Sequence, residues 1–214
     1  MNNNLSFIPK LIKEYINDLK YKLDDIGTSE DSVILFENKY VLKISSNIEL
    51  LKKEYELCSF VYGKIPSPEP KAFIIENNKA YFLRGFIEGE SLILDRIPSD
   101  HKELIKILKE AVDILKEMDK YDCPYPAPES IGNEFIHGDL CLPNILVGKD
   151  NKVVGFVDLC GAGRGDRWFD YAWLIWSMQY NLKTNEYRDE LLEALGVTFD
   201  EEKYNLYIPK NYRQ

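Results

Sequence analysis

The chain has 214 residues, of which 45% are hydrophobic and 29% charged, and a formal net charge of −9. This is enough for one domain or two small lobes with a real core, and the lack of any basic run argues against a nucleic-acid partner. The start, Met1-Asn2-Asn3-Asn4-Leu5-Ser6, is no signal peptide, and no apolar run approaches the roughly 20 residues of a membrane span, so a cytoplasmic protein with no membrane contact is expected. Cys58, Cys123, Cys141 and Cys160 lack Cys-x-x-Cys spacing and read as free thiols rather than a zinc site or disulfide frame.

Ile8, Leu11, Ile12, Tyr15, Ile16, Leu19 and Leu23 fall at helical spacing and predict an amphipathic helix over 7–23. Gly27 to Ser32 is a polar turn before Val33-Ile34-Leu35-Phe36, and Asn38-Lys39 turns the chain into Tyr40-Val41-Leu42-Lys43-Ile44. A loop of this kind around Ser29 can lay backbone N–H groups over phosphates; with its single glycine it reads equally well as a plain hairpin turn.

Lys43 sits mid-strand between two apolar residues. In the next helix Leu51, Cys58 and Val61 mark an apolar stripe, and Glu54 falls on that stripe while Glu56 lies off it. A carboxylate on a buried face needs a partner. Pro66-Ser67-Pro68-Glu69-Pro70 ends the helix in an extended linker. Phe73-Ile74-Ile75 and Tyr81-Phe82-Leu83, joined through Glu76-Asn77-Asn78-Lys79, form a second hairpin, and Arg84 to Gly89 leaves the sheet. The clearest helix spans 100–118, opened by a capping box at Asp100 and Glu103. A loop with three prolines, Pro124, Pro126 and Pro128, follows it.

The stretch from Phe135 to Asp170 organises the rest. Ile145-Leu146-Val147 and Val153 to Val157 are apolar, β-prone runs separated by Gly148-Lys149-Asp150-Asn151-Lys152, which is turn chemistry. With the turn centred on Asp150-Asn151, paired residue numbers sum to about 301, so Asn144 faces Val157 and Asp158 comes next. Asp139 stands in the loop just upstream. An Asn beside an Asp offers the hard oxygen ligands Mg²⁺ takes alongside nucleotide phosphates, and a second carboxylate can orient an attacking hydroxyl. Each of these residues alone is an ordinary turn former; the ordered set, converging in one hairpin, is specific. Beyond Asp170, residues 171–180 read as a buried helix, 186–195 as an amphipathic helix stopped by Gly196, and 200–208 as a short helical segment.

His137-Gly138-Asp139-Leu140-Cys141-Leu142-Pro143-Asn144 with Gly155-Phe156-Val157-Asp158-Leu159 resembles the signature of the aminoglycoside 3′-phosphotransferases, members of the protein-kinase-like superfamily. Gly163-Arg164-Gly165-Asp166-Arg167-Trp168-Phe169-Asp170 is similar to their next motif, and Pro66 to Glu69 to their linker. The resemblance implies an α+β, two-lobed kinase-like fold: a nucleotide-binding lobe over 1–84 with an antiparallel sheet and one main helix, a hinge over 85–89, and a mostly helical catalytic and acceptor-binding lobe over 90–214. It implies Mg²⁺-dependent transfer of the γ-phosphate of ATP or GTP to a hydroxyl of a small cationic or polyhydroxylated acceptor. Asp139 is then the base, Asn144 and Asp158 the metal ligands, Lys43 paired with Glu54 the contact to the α/β-phosphates, Ser29 part of the phosphate cover, and Phe86 and Ile87 backbone contacts to the base. His137, Asp166 and Asp170 brace the site, Arg164 pairs with either aspartate, and Trp168, Trp173 and Trp176 belong to the core.

The chain departs from that family in three places. Arg84 stands where an apolar residue is commoner, the helical insertion before His137 is reduced to 127–134, and the end carries Lys210 and Arg213 instead of acidic and aromatic residues. Glu129, Glu134, Glu201 and Glu202 are the candidate replacements around a cationic acceptor. A kinase of another small hydroxylated metabolite, or a nucleotide-binding relic without transfer activity, are the alternatives.

Overall fold

A computed structural model of the chain describes residues 5–24 and 31–212. Two units emerge: one takes in the chain up to Tyr62 together with Pro68–Ile87, the other Gly63–Ser67 and everything from Glu88.

The first unit is a five-stranded antiparallel sheet with one helix on each face. In chain order it runs α1 (Lys10–Ile16), β1 (Tyr21–Asp24), β2 (Asp31–Phe36), β3 (Tyr40–Ser45), α2 (Ile48–Val61), β4 (Pro70–Glu76) and β5 (Lys79–Gly85). The strands lie in the order β1-β2-β3-β5-β4. Both tight hairpins place two successive residues at positive φ, Glu37 and Asn38 at 47° and 55°, Asn77 and Asn78 at 52° and 58°. That geometry matches the strand twist, and Asn tolerates it better than other side chains. On one face Ile34, Phe36, Leu42, Ile44, Tyr81 and Leu83 bury against Ile8, Ile12 and Ile16. On the other, Tyr55 of α2 stacks on Phe73, centroids 5.2 Å apart, and meets Phe82 edge-on at 5.5 Å.

The expected helix over 7–23 is shorter than its apolar pattern. It stops at Ile16, Asp18 turns the chain at φ 64°, and Tyr21 to Asp24 pair with β2. Tyr21 and Leu23 satisfy strand alternation as well as helical spacing, and the free edge of β2 decides between the two. Leu23 is left exposed.

The second unit holds β6 (Glu90–Ser91), α3 (His101–Lys116), β7 (Glu134–Ile136), β8 (Ile145–Val147), β9 (Val153–Phe156), β10 (Gly163–Gly165), α4 (Trp168–Leu182), α5 (Arg188–Leu195) and α6 (Glu201–Tyr207). Strands β6-β8-β9 form one small sheet and β7-β10 another. Asp100 caps α3 by accepting from the Lys102 N–H at 2.9 Å. Gly196, at φ 72°, ends α5 as its spacing required. Residues 121–133 contain no helix, only a bridge from Pro126 to Arg164.

The tryptophans are a correction. All three are half-buried and line one side of α4. Trp176 stacks on Tyr180 at 5.2 Å and meets Trp173 edge-on at 5.5 Å, and its indole N–H donates to the Tyr212 carbonyl at 2.7 Å. An amphipathic ring reaching a polar partner settles at the margin of a core.

Candidate active site

The loop that runs from His137 to Asn144 is held from beneath by two glycines and a buried carboxylate. Gly138, at φ 75°, sits so close to Gly161 that a Cβ on it would lie 2.0 Å from the Gly161 oxygen. Asp170, fully buried at the start of α4, accepts from the His137 N–H at 2.7 Å and from the Gly138 N–H at 2.9 Å. Burial pushes its carboxyl group up, against the opposing pull of His137, those two N–H donors and Arg167. The His137 ring, completely buried, meets the Val157 carbonyl through Nε2 at 3.0 Å. A carbonyl only accepts, so Nε2 carries a proton there. His137 and Asp170 thus tie the loop to the hairpin and to α4.

Asp139 follows, half-buried, and the Asn144 side chain closes on it. Nδ2 of Asn144 donates to the Asp139 carbonyl at 3.0 Å and to Oδ2 of its carboxylate at 2.9 Å. Asn144 is buried. With its nitrogen facing Asp139, the amide oxygen is the atom that a cation can take. The Val157 N–H donates to the Asn144 carbonyl at 3.1 Å, as the hairpin register required, and Asp158 comes next in the left-handed conformation, φ 62°. Hard oxygens from one amide and one carboxylate are donors that would suit Mg²⁺. Among the described residues no cluster of three or more His, Cys, Asp or Glu forms a cage of protein ligands.

Ser177 was not legible as a site residue. Its hydroxyl accepts from the Leu142 N–H at 2.9 Å and so pins the loop between Asp139 and Asn144 to α4. Cys141 lies in that loop with its thiol pushed up by burial and by Asp139, which keeps it protonated. None of the four cysteines is in a disulfide.

Within the first unit, the Lys43 ammonium reaches both oxygens of Glu54, at 2.8 and 3.0 Å. Glu54 is buried on α2 beside Leu51 and Cys58, where its spacing put it. Phe86 and Ile87 follow β5, and the Phe86 N–H donates to the Lys39 carbonyl at 2.9 Å. Ser29 lies outside the described residues.

The expected pairing of Arg164 is corrected. Arg164 is exposed on β10, whereas Arg167, only 4% exposed, engages Asp119 at 2.7 and 2.8 Å and Glu134 at 3.2 Å. Pairing on the short β10 turns Arg164 outward, and the N-cap position of α4 turns Arg167 inward. Glu134, considered for an acceptor, is committed to this pair and to the Arg167 N–H at 3.1 Å. Glu129, Glu201 and Glu202 are exposed.

Asp166 accepts from the Trp168 N–H at 3.0 Å, from Lys203 at 2.8 Å and from the Tyr207 hydroxyl at 3.1 Å, which fastens α6. Burial raises its carboxyl, but Lys203 and these donors outweigh it and hold the group below its ordinary range. A depressed carboxyl contributes stability above its unfolded pKa and loses it as pH falls through the folded value. Asp166→Asn is therefore expected to lower the melting temperature near neutrality by about 2 °C, a screened ion pair in a chain of this size. The gap should close below about pH 4, the carboxylate range. A gap independent of pH in paired thermal melts would show that the charge contributes nothing.

An antiparallel sheet whose strand lysine pairs with a glutamate on one helix, and an Asp–Asn loop braced by a helix carboxylate, are the arrangement expected of a kinase-like fold. Residues 126–207 match the model of the phosphotransferase enzyme family. The chain is 27% identical to the probable aminoglycoside 3′-phosphotransferase of Lactococcus lactis, over 90% of this chain and 89% of that protein. It superposes on the crystal structure of aminoglycoside-3′-phosphotransferase of type VIII with a TM-score of 0.70 at 15% identity, covering 92% and 94% of the two chains. ADP-bound aminoglycoside phosphotransferase APH(2'')-Ib gives 0.68 at 14% identity, covering 92% and 83%. The chain is thus similar in sequence to aminoglycoside 3′-phosphotransferases and shares the fold of solved aminoglycoside phosphotransferases. No helix among the described residues is long and apolar enough to cross a membrane.

Proposed function

We propose that this chain is a cytoplasmic phosphotransferase that moves the γ-phosphoryl group of a nucleoside triphosphate to a hydroxyl of a small molecule, in the manner of an aminoglycoside 3′-phosphotransferase. The observation that carries the reading is the Asn144 amide closed on the Asp139 carboxylate at 2.9 Å, at the mouth of the hairpin that ends in Asp158. Residues 1–84 serve as the nucleotide lobe, 85–89 as the hinge, and 90–214 as the catalytic and acceptor-binding lobe.

The Asp139 carboxylate orients the acceptor hydroxyl and takes its proton as the oxygen attacks phosphorus. Oδ2 is fixed by Asn144, so the carboxylate cannot swing away while it waits. Asn144 and Asp158 would hold Mg²⁺ through their side-chain oxygens, and the ion would supply positive charge against the developing phosphate charge. Lys43, steadied by Glu54, contacts the α- and β-phosphates, and Ser29 with its neighbours covers the triphosphate. The base meets the backbone of Phe86 and Ile87. Because the Phe86 N–H is engaged by Lys39, Phe86 offers its carbonyl and Ile87 its amide.

The acceptor side is sparse. The connection over 121–133 contains no helix, and Glu134 is spent on Arg167. Carboxylates are what a polycationic aminoglycoside needs, so transfer to kanamycin-type substrates is expected to be weak, with a high KM, or to give way to another hydroxylated acceptor. Nucleotide turnover is to be measured with kanamycin, neomycin and a panel of polyols and amino sugars, with and without Mg²⁺. Turnover that requires both Mg²⁺ and one class of acceptor is the expected result. No acceptor-dependent turnover would sink the transferase reading, and a micromolar KM for kanamycin would show the acceptor side to be sufficient.

A further inference from the structure

A buried guanidinium without a counter-ion stands on the sheet face that carries Lys43. Arg84 is 8% exposed, its Nε has no hydrogen-bond partner, and no ion pair reaches its side chain among the described residues. In β5 it sits opposite Val41, while Phe82 sits opposite Lys43. Residues directly opposite share a face, so Arg84, Phe82, Val41 and Lys43 point to one side. Leu42 and Leu83, on the other, are in the α1 core.

The charged and titratable groups around Arg84 leave it unanswered. Both Glu54 oxygens are on Lys43. Glu69, beside Gly85, pairs with Lys71. The Cys58 thiol of α2 is pushed up to about 12 by burial, with Arg84 pulling the other way, so it stays a neutral thiol and offers no charge. Taking an isolated cation out of water is among the costliest things a fold can do, and an apolar residue of like length removes that cost. Its side chain therefore waits for something that accepts hydrogen bonds. Arg84 also stands one residue before Gly85-Phe86-Ile87, where the Gly85 N–H donates to the Glu69 carbonyl at 2.8 Å and fixes the strand exit.

A guanidinium has donors only, set in a planar fork. The O6/N7 edge of guanine offers two acceptors side by side, and the matching edge of adenine offers an amino donor beside one acceptor. Resting on the phosphotransferase reading, we infer that Arg84 selects the nucleotide base, donating to O6 and N7 of a guanine nucleotide and rejecting adenine. The chain is then a GTP-dependent enzyme, and the departure at Arg84 is a specificity residue.

Calorimetric titration of the full chain with GDP, IDP and ADP tests this without any acceptor. IDP keeps O6 and N7 but lacks the guanine 2-amino group, so it isolates the edge in question. GDP and IDP are expected to bind alike and about tenfold or more tighter than ADP, the discrimination a forked guanidinium gives. Arg84→Met should bind ADP at least as well as GDP, with a melting temperature equal to or above that of the wild type, since Met replaces a buried charge with apolar chain. Equal affinity for GDP and ADP in the wild type, or tighter ADP, overturns the inference and leaves the phosphotransferase reading standing. A lower melting temperature in Arg84→Met with an unchanged GDP-to-ADP ratio also overturns it, by making Arg84 structural. Failure of all three nucleotides to bind overturns both readings together.

Discussion

Asp139→Asn is expected to lower kcat by about 10²–10⁴-fold, the range of a positioned general base, while nucleotide affinity stays near the wild-type value. The substitution keeps the shape, and the new amide oxygen can still accept from Asn144 Nδ2, so the 2.9 Å contact that holds the loop has a replacement. It removes the charge that attracts the hydroxyl proton and the second lone-pair site that orients it. The melting temperature should move by no more than about 2 °C, since Asp139 is half-buried and the loop is fixed from elsewhere. Steady-state kinetics at saturating nucleotide, paired with a nucleotide titration, separates the two effects. Turnover within a few-fold of the wild type would remove Asp139 from the chemistry.

What the sequence could reveal depended on how local the determining contact is. The register of the β8–β9 hairpin was legible because its turn chemistry is local: Ile145 pairs Phe156 and Leu146 pairs Gly155 as the turn position demands. The bulge between Leu146 and Val147, which slips Val147 onto Val153, was not, because nothing in the apolar run marks an extra residue. Glu54 was legible for a similar reason. A carboxylate at an apolar position of α2 announces a buried partner, and Lys43 Nζ stands 2.8 Å away.

The misses concern side chains whose environment is set by distant chain. Arg164 and Arg167 are indistinguishable as letters, and only the pairing of β10 with β7 and the start of α4 just after Arg167 decide which faces inward. Asp119, in the 3-10 turn after α3, and Glu134, on β7, carried no signal until they met Arg167. Ser177 looked like a small residue in an apolar helix, yet it anchors the Leu142 N–H. Helix periodicity over 7–23 failed at the short segment where strand and helix patterns coincide and tertiary pairing chose. The Arg84 departure was visible in the letters, but its lack of a counter-ion required the packing around it.

Gly138→Ala is expected to be the most damaging small change in the second unit, and Gly196→Ala is its internal control. Both glycines hold nearly the same left-handed backbone, φ 75° and 72°. An alanine there costs about 1–2 kcal/mol from the conformation alone. Gly196 ends α5 with nothing within 4 Å of an added Cβ, so that cost is all it should lose. That amounts to a fall of about 2–8 °C in melting temperature. At Gly138 the added Cβ would lie 2.0 Å from the Gly161 oxygen and 2.3 Å from its carbonyl carbon, both backbone atoms that cannot rotate aside. Gly161 is tight as well, since a Cβ on it would come within 2.6 Å of the Gly138 oxygen, so neither side of the contact has room to yield. The loop must then move away from the hairpin end. In moving, it strains the Asp170 bonds to the His137 and Gly138 N–H groups, both buried donors with a desolvation penalty if left unmet. A total loss of about 3 kcal/mol or more follows from overpacking added to the conformational cost. Turnover should fall as far as in Asp139→Asn, because Asp139 is the next residue and is displaced with the loop. Unlike Asp139→Asn, this variant should also lose thermal stability. Thermal melts of both glycine variants beside their kcat values decide the matter: equal melting temperatures in Gly138→Ala and Gly196→Ala would mean that the Gly138–Gly161 contact is loose and that the loop is not held from beneath.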